Sequence, residues 1–196
     1  MCMKLLDILI EVALQQNELS TKYKEIYNHG ANHKIYQTND PTKLIKVGDR
    51  LLVDSWYDLF KANPNIFAKV YKRGKTKIWD NKREEFYIGD YVMIEKLNAR
   101  AFKSLWYYFE KTFDRYQESL GRSDYDNFQY YITRIEDNME FIRGMAKSME
   151  HDVTLHNRFV EFVNLLLDIY ELKPAADVHV DQFGIDGEGK IKCLDI

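Results

Sequence analysis

The sequence predicts an α+β protein built in two parts, a small antiparallel sheet followed by a helical region and closed by a terminal hairpin. Three observations carry that prediction. Short β-branched and aromatic runs fill the first half, apolar residues recur at helical spacing from Ala101 to Tyr170, and the turn sequence Asp186-Gly187-Glu188-Gly189 separates two final apolar runs.

The first element is an amphipathic helix over Leu5–Leu14. Lys4, Asp7, Glu11 and Gln15 recur every three or four residues and leave Leu5, Leu6, Leu9, Val12 and Ala13 on the other side. Asp7 and Glu11 interrupt the apolar run, so no membrane span or signal peptide is expected there. Three short strands follow at Tyr23–Asn28, His33–Thr38 and Leu44–Val47. Gly30, in the first turn, lets backbone N–H groups approach a phosphate. The third strand holds Lys46 between apolar neighbours, as expected of a lysine held on a strand to neutralise phosphate charge. Leu52, Trp56, Leu59 and Phe60 repeat at helical spacing over Arg50–Ala62, and Asn63-Pro64 stops that helix. Ile66–Tyr71 and Phe86–Leu97 read as strands, with the charged Arg73–Glu85 segment between them as an exposed connection.

In the helical region one stripe runs through Tyr125, Phe128, Ile132, Ile135, Met139, Ile142 and Met149. A second runs through Leu155, Phe159, Phe162, Leu166 and Ile169, opposite Asn157, Glu161, Asn164, Asp168 and Glu171. These stripes read as core. Lys173-Pro174 ends the last helix, because proline disfavours the helical conformation in the residue before it. Fourteen tyrosines are present, and Tyr107, Tyr108, Tyr116, Tyr125, Tyr130 and Tyr131 cluster in the helical region. They suit either a wet-edged core or a protein interface.

The tail carries the chemistry. Phe183–Ile185 and Lys190–Leu194 read as two strands, and a turn centred between Glu188 and Gly189 places Gln182 across from Asp195. Asp177 enters the hairpin five residues before Gln182, so one amide and two carboxylates converge. Magnesium takes hard oxygen ligands and bridges to phosphate oxygens, so a carboxylate with an amide oxygen forms a partial shell. The remaining carboxylate is then available to orient a nucleophilic hydroxyl.

This order of strands, helix, strands, helices and hairpin, with Gly30, Lys46 and Asp195 each in place, resembles the protein-kinase-like fold in a minimal, two-lobed form with a truncated helical C-lobe. The motifs Gly30 to Tyr36 and Leu44 to Gly48 resemble the early protein kinase of T7-like bacteriophages. Asp177-Val178-His179 resembles the Asp-Leu-His catalytic loop of that kinase and of aminoglycoside-phosphotransferase-like kinases. The resemblance implies ATP and Mg2+ as cofactors, Gly30 over the phosphates and Lys46 on them. It further implies an adenine-binding hinge at Ile94–Leu97 through Glu95 and Leu97, Asp177 as the catalytic carboxylate, and Gln182 with Asp195 as metal ligands. Asp54, with Asp58 as the other candidate, stands where an acidic partner of Lys46 is expected. Residues 1–196 then form a single kinase-like domain, with the N-terminal helix and N-lobe over 1–97 and the helical C-lobe, catalytic loop and hairpin over 98–196.

Several positions depart from the family pattern. One glycine stands where three are usual, Gln182 replaces asparagine, and Ala175-Ala176 precede Asp177 where many kinases carry an arginine, so activation by loop phosphorylation is not expected. The chain stops one residue after Asp195, so an activation segment is not expected either, and a protein substrate is held another way. Two functions follow. One is an ATP/Mg-dependent phosphotransferase, phage-encoded and acting on host proteins, which the retention of Lys46, Asp177 and Asp195 favours. The alternative is a catalytically weak or inactive pseudokinase-like protein that binds and inhibits a host enzyme or defence system.

Other classes are disfavoured. The net charge of −3 gives no basic footprint for nucleic acid, although Lys69–Lys77 is locally basic. Cys2 and Cys193 are isolated and lack metal-ligand spacing, which fits a reduced, cytoplasmic protein. His29, His33, His151, His156 and His179 form no zinc motif.

Overall fold

The computed structural model of the protein describes residues 24–27, 34–80, 85–122, 127–174 and 176–195. The amphipathic helix expected at Leu5–Leu14 and the phosphate-loop glycine expected at Gly30 lie outside the described residues. The chain divides into two units, the described part of Met1–Pro64 with Ala68–Lys96, and Asn65–Phe67 with Leu97–Ile196. The protein is α+β, with a small antiparallel sheet in the first unit and several helices in the second.

The first unit holds β1 (Lys24–Tyr27), β2 (Lys34–Gln37), β3 (Lys43–Gly48), α1 (Arg50–Ala62), β4 (Val70–Asp80) and β5 (Glu85–Glu95). The strands form one antiparallel sheet in the order β1-β2-β3-β5-β4. β3 is central and buried on both faces. Tyr36, Ile45 and Val47 pack with Tyr91 and Met93 on one side. Leu44 and Lys46 stand opposite Ile94 and Val92 on the other. α1 begins at Asp49, whose carboxylate accepts from the Leu52 N–H at 2.9 Å, and it buries Val53, Trp56 and Phe60. It ends at Asn63, which donates its amide to the Leu59 carbonyl at 2.9 Å just before Pro64.

One expectation is overturned here. The charged run Arg73–Glu85 is no exposed connection, since β4 continues through it to Asp80 and pairs with β5 down to Asp80 opposite Glu85. β4 is an edge strand, where lysines on a half-solvated ribbon are tolerated and discourage pairing with other chains. Its inward positions are small: Thr76 is buried and Gly74 lies against the Tyr91 ring.

The second unit holds α2 (Ala99–Ser119), α3 (Phe128–Thr133), α4 (Met139–Ser148), α5 (Val153–Leu172), a 3-10 turn at Val180–Gln182, and the hairpin of β6 (Phe183–Ile185) and β7 (Ile191–Cys193). Asn98, Asn127 and Asp152 cap α2, α3 and α5 by accepting from the N–H three residues on. Of the stripe read from Tyr125 to Met149, Tyr125 lies outside the described residues, and the part from Phe128 to Met149 runs over two helices. The backbone turns between Arg134 and Asn138, yet Ile135 stays buried inside the turn, so the apolar rhythm outlasts the helix.

Aromatic rings form the core of this unit. Phe109 lies 5.2 Å from Phe159 and 5.8 Å from Phe162, and Phe183 of the hairpin stands 5.3 Å from both Phe102 and Phe162. Both edges of the hairpin are bonded within the unit. Asn98 N–H donates to Ile185 O at 2.8 Å, and Cys193 N–H donates to Ile66 O at 2.8 Å. Gly184 sits where a side chain has no room, because a Cβ there would stand 2.4 Å from the Leu97 Cβ. Gly184→Ala is therefore expected to destabilise the protein by about 3 kcal/mol, the upper range for overpacking. The midpoint of urea unfolding measures it, and an unchanged midpoint would mean that the hairpin packs elsewhere.

Candidate functional site

The hairpin sets the geometry of the tail. Phe183 pairs with Cys193, Gly184 with Lys192 and Ile185 with Ile191, so the ladder is centred on Glu188. Asp186 N–H donates to Lys190 O, Gly189 N–H returns to Asp186 O, and Gly189 takes φ +85°, which gives a three-residue loop with a left-handed glycine. The expected register was one residue off. Gln182 meets Leu194, whose N–H donates to Gln182 O at 2.6 Å, and Asp195 follows one position beyond.

The loop leading into the hairpin is anchored from below. Val178 is buried, and its carbonyl accepts from the Gln129 side-chain amide of α3. Asp177, next to it, projects outward with its side chain 84% exposed. Its carboxylate lies 3.1 Å from His179 Nε2, and the His179 backbone N–H donates to Gln182 Oε1 at 2.6 Å. Asp177, His179, Gln182 and the strand end bearing Asp195 thus form one linked series within the second unit. Burial raises the Tyr170 phenol above its usual value, and the negative charge of Asp177 adds to that effect. Asp177 therefore sits beside the end of α5 as an accessible anionic oxygen.

The hairpin itself is braced by charges that sequence spacing does not pair. Asp186 Oδ1 accepts from the N–H groups of Glu188 and Lys190, while Oδ2 lies 3.1 Å from Lys192 Nζ, with the two side chains 3% and 12% exposed. Burial would raise the Asp186 pKa. The Lys190 N–H, the Lys192 ammonium and the Glu188 N–H outweigh burial and hold it below the ordinary 3.8. From α5, Arg158 donates to Gly189 O and to Glu161, and Glu161 accepts from the Ile191 N–H at 2.8 Å. Glu161, read from spacing as a solvent-facing residue, is half-buried and holds β7.

The first unit carries Lys46, Asp54 and Glu95; Leu97 belongs to the second. Lys46 is 1% exposed, and its Nζ lies 3.9 Å from the centre of the Trp56 ring and 6.0 Å from that of Phe60. Aromatic faces attract a desolvated ammonium. Nothing in the spacing of the sequence indicated this platform, although Trp56 and Phe60 are one helical turn apart on the face that α1 buries. Asp54 does not take the expected place beside Lys46. Among the described residues its oxygens pair with Arg73 at 2.7 Å and Arg50 at 3.6 Å. The reason is that β4 brings Arg73 across to α1, a pairing that the misread connection concealed. At the expected hinge, Glu95 N–H donates to Lys69 O and Lys96 N–H to Thr42 O, both at 2.8 Å, and Leu97 O accepts from Ala99 N–H at 3.1 Å.

Among the described residues no three His, Cys, Asp or Glu side chains cluster as a self-sufficient metal cage. Gln182 and Asp195 offer one amide and one carboxylate oxygen. That set fits magnesium, which is commonly held by one or two carboxylates and completed by phosphate oxygens and water. Among the described residues, no helix is long and apolar enough to cross a membrane.

No family and no curated protein matches the sequence. Among solved structures, the crystal structure of choline kinase LicA from Streptococcus pneumoniae aligns with 95% of this chain and 68% of its own, at 12% identity and a TM-score of 0.33. A likeness at that level establishes neither family nor activity.

Proposed function

We propose that the protein is an ATP/Mg-dependent phosphotransferase of protein-kinase-like type. In this reading Lys46 binds the phosphates, Gln182 and Asp195 hold the magnesium ion that neutralises them, and Asp177 orients the acceptor hydroxyl. The hydroxyl oxygen bonds to the γ-phosphorus as the bond from that phosphorus to the β–γ bridging oxygen breaks. ADP departs with the bridging oxygen, and the hydroxyl proton passes to Asp177 and then to water. The acceptor in this reading is a hydroxyl on a host protein, which the resemblance of the segments Gly30 to Tyr36 and Leu44 to Gly48 to phage kinases supports.

The observation that carries the reading is the burial of Lys46. A strand lysine that served only as a solvated charge would expose its ammonium, whereas Lys46 is 1% exposed and its Nζ is held over the Trp56 ring. The exposure of Asp177 supports the acceptor role, since a general base must be reachable by its substrate. Calorimetric titration with ATP and magnesium tests the reading. Lys46→Met, which keeps the side-chain volume, is expected to weaken binding by about tenfold or more, the worth of a charge-assisted hydrogen bond. Absence of binding to the unaltered protein would sink the proposal.

A specific observation favours a second reading, a protein that uses the fold for binding alone. The Gln182 amide oxygen is engaged by the His179 N–H, which leaves it one lone pair for a metal. Under that reading nucleotide binds and no phosphate is transferred.

A further inference from the structure

The face of α2 opposite its aromatic core forms one wall of a groove of about 560 Å³ in the second unit, and the junction of α4 and α5 forms the other. Phe102, Trp106, Phe109 and Phe113 point inward from α2. The outward positions of such a helix are ordinarily polar, yet Tyr107 and Tyr108 stand there side by side, 54% and 58% exposed. Their rings meet edge to face with centres 5.8 Å apart. One turn further along lies Lys111, its Nζ 5.7 Å from the centre of the Tyr107 ring, followed by Arg115. Across the groove are His151 and the buried Met149.

The charges of this groove are one-sided. Its acidic member, Asp152, spends its carboxylate capping α5 through the Leu155 N–H. Lys111 makes a loose, exposed bridge to Asp114 at 3.7 Å, which competes weakly with an incoming anion. Among the described residues no ion pair engages Arg115 or His151. Exposed tyrosines beside exposed cations suit a protein-binding surface, in which the rings supply area and the cations select a negative partner.

We infer that this groove docks an acidic protein segment carrying an aromatic side chain, the ring lying on Tyr107 and Tyr108 and the carboxylates facing Lys111 and Arg115. The few cations are too compact a set for the extended stripe that tracks a nucleic-acid backbone. The inference does not rest on the phosphotransferase reading, because no residue of that site lines the groove.

The probe is a fluorescein-labelled random copolymer of glutamate and tyrosine, titrated with the full chain and followed by anisotropy. Saturable binding is expected, weakened about tenfold or more by Lys111→Glu with Arg115→Glu, and similarly by Tyr107→Ser with Tyr108→Ser. Polyglutamate without tyrosine is expected to bind about tenfold more weakly. Lys72→Glu with Lys75→Glu, on β4 of the other unit, and Lys46→Met are both expected to leave the affinity unchanged. All of these side chains except Lys46 are exposed or half-exposed, and circular dichroism verifies that each variant is folded. No binding, equal binding of polyglutamate, or an equal loss from the β4 reversal would overturn the inference.

Discussion

Asp177→Ala is expected to lower the rate of phosphate transfer by about a thousandfold while the affinity for ATP with magnesium changes by no more than about twofold. The split follows from where the side chain stands. Asp177 is exposed, caps no helix, and contacts His179 through a pairing that is weak at the surface. Its removal therefore takes little from the fold and nothing from the groups assigned to nucleotide. What it removes is the oxygen that receives the acceptor proton. Asp177→Asn sharpens the test, because asparagine keeps the shape and accepts hydrogen bonds but does not take up the proton. Both variants should melt with the unaltered protein. A rate loss accompanied by an equal loss of nucleotide affinity would show that Asp177 acts on binding and would remove it from the catalytic role.

Asp186→Ala is expected to destabilise the protein by about 4 kcal/mol, which follows from stranding a buried charge. The substitution deletes two backbone hydrogen bonds that shape the three-residue loop and leaves the Lys192 ammonium, 12% exposed, without its carboxylate. Asp186→Asn keeps an acceptor for the loop and should cost roughly half as much. The double variant Asp186→Asn with Lys192→Met should recover part of the loss, since the lysine is then no longer stranded. The pH dependence has a defined sign. The folded carboxyl titrates below its ordinary 3.8, so its contribution is fully present above pH 3.8 and fades as the pH falls through the lower, folded value. Urea unfolding at neutral pH and at pH 3 measures both effects. The Asp186→Asn variant should be less acid-sensitive than the unaltered protein, and equal sensitivity would mean that the Lys190 N–H, Lys192 and the Glu188 N–H do not hold Asp186 ionised.

What the sequence disclosed and what it hid divide along separation in the chain. α1 was legible from end to end because its signals are local, with the spacing of Leu52, Trp56, Leu59 and Phe60 running along it and Asn63-Pro64 stopping it. The terminal hairpin was legible for the same reason, since it joins residues close in sequence. Its register was missed by one, because the left-handed Gly189 closes a three-residue loop rather than an even one. β4 was hidden by its lysines, since solvated edge strands and solvated loops share a composition. That error carried over to Asp54, whose true partner Arg73 lies on the strand that was taken for a connection. The aromatic platform under Lys46, the Gln129 anchor of Val178 and the clamp from Arg158 and Glu161 all span long separations, and single-sequence spacing holds no signal for them.

The central claim is phosphate transfer, and the most direct test is a single incubation of the protein with γ-labelled ATP, magnesium and a protein extract as acceptor, run beside Asp177→Ala. ADP formation is expected, with label appearing on protein hydroxyl groups, and both are expected to be lost in the variant. ATP that binds to the unaltered protein yet yields no ADP above the variant's level would contradict it.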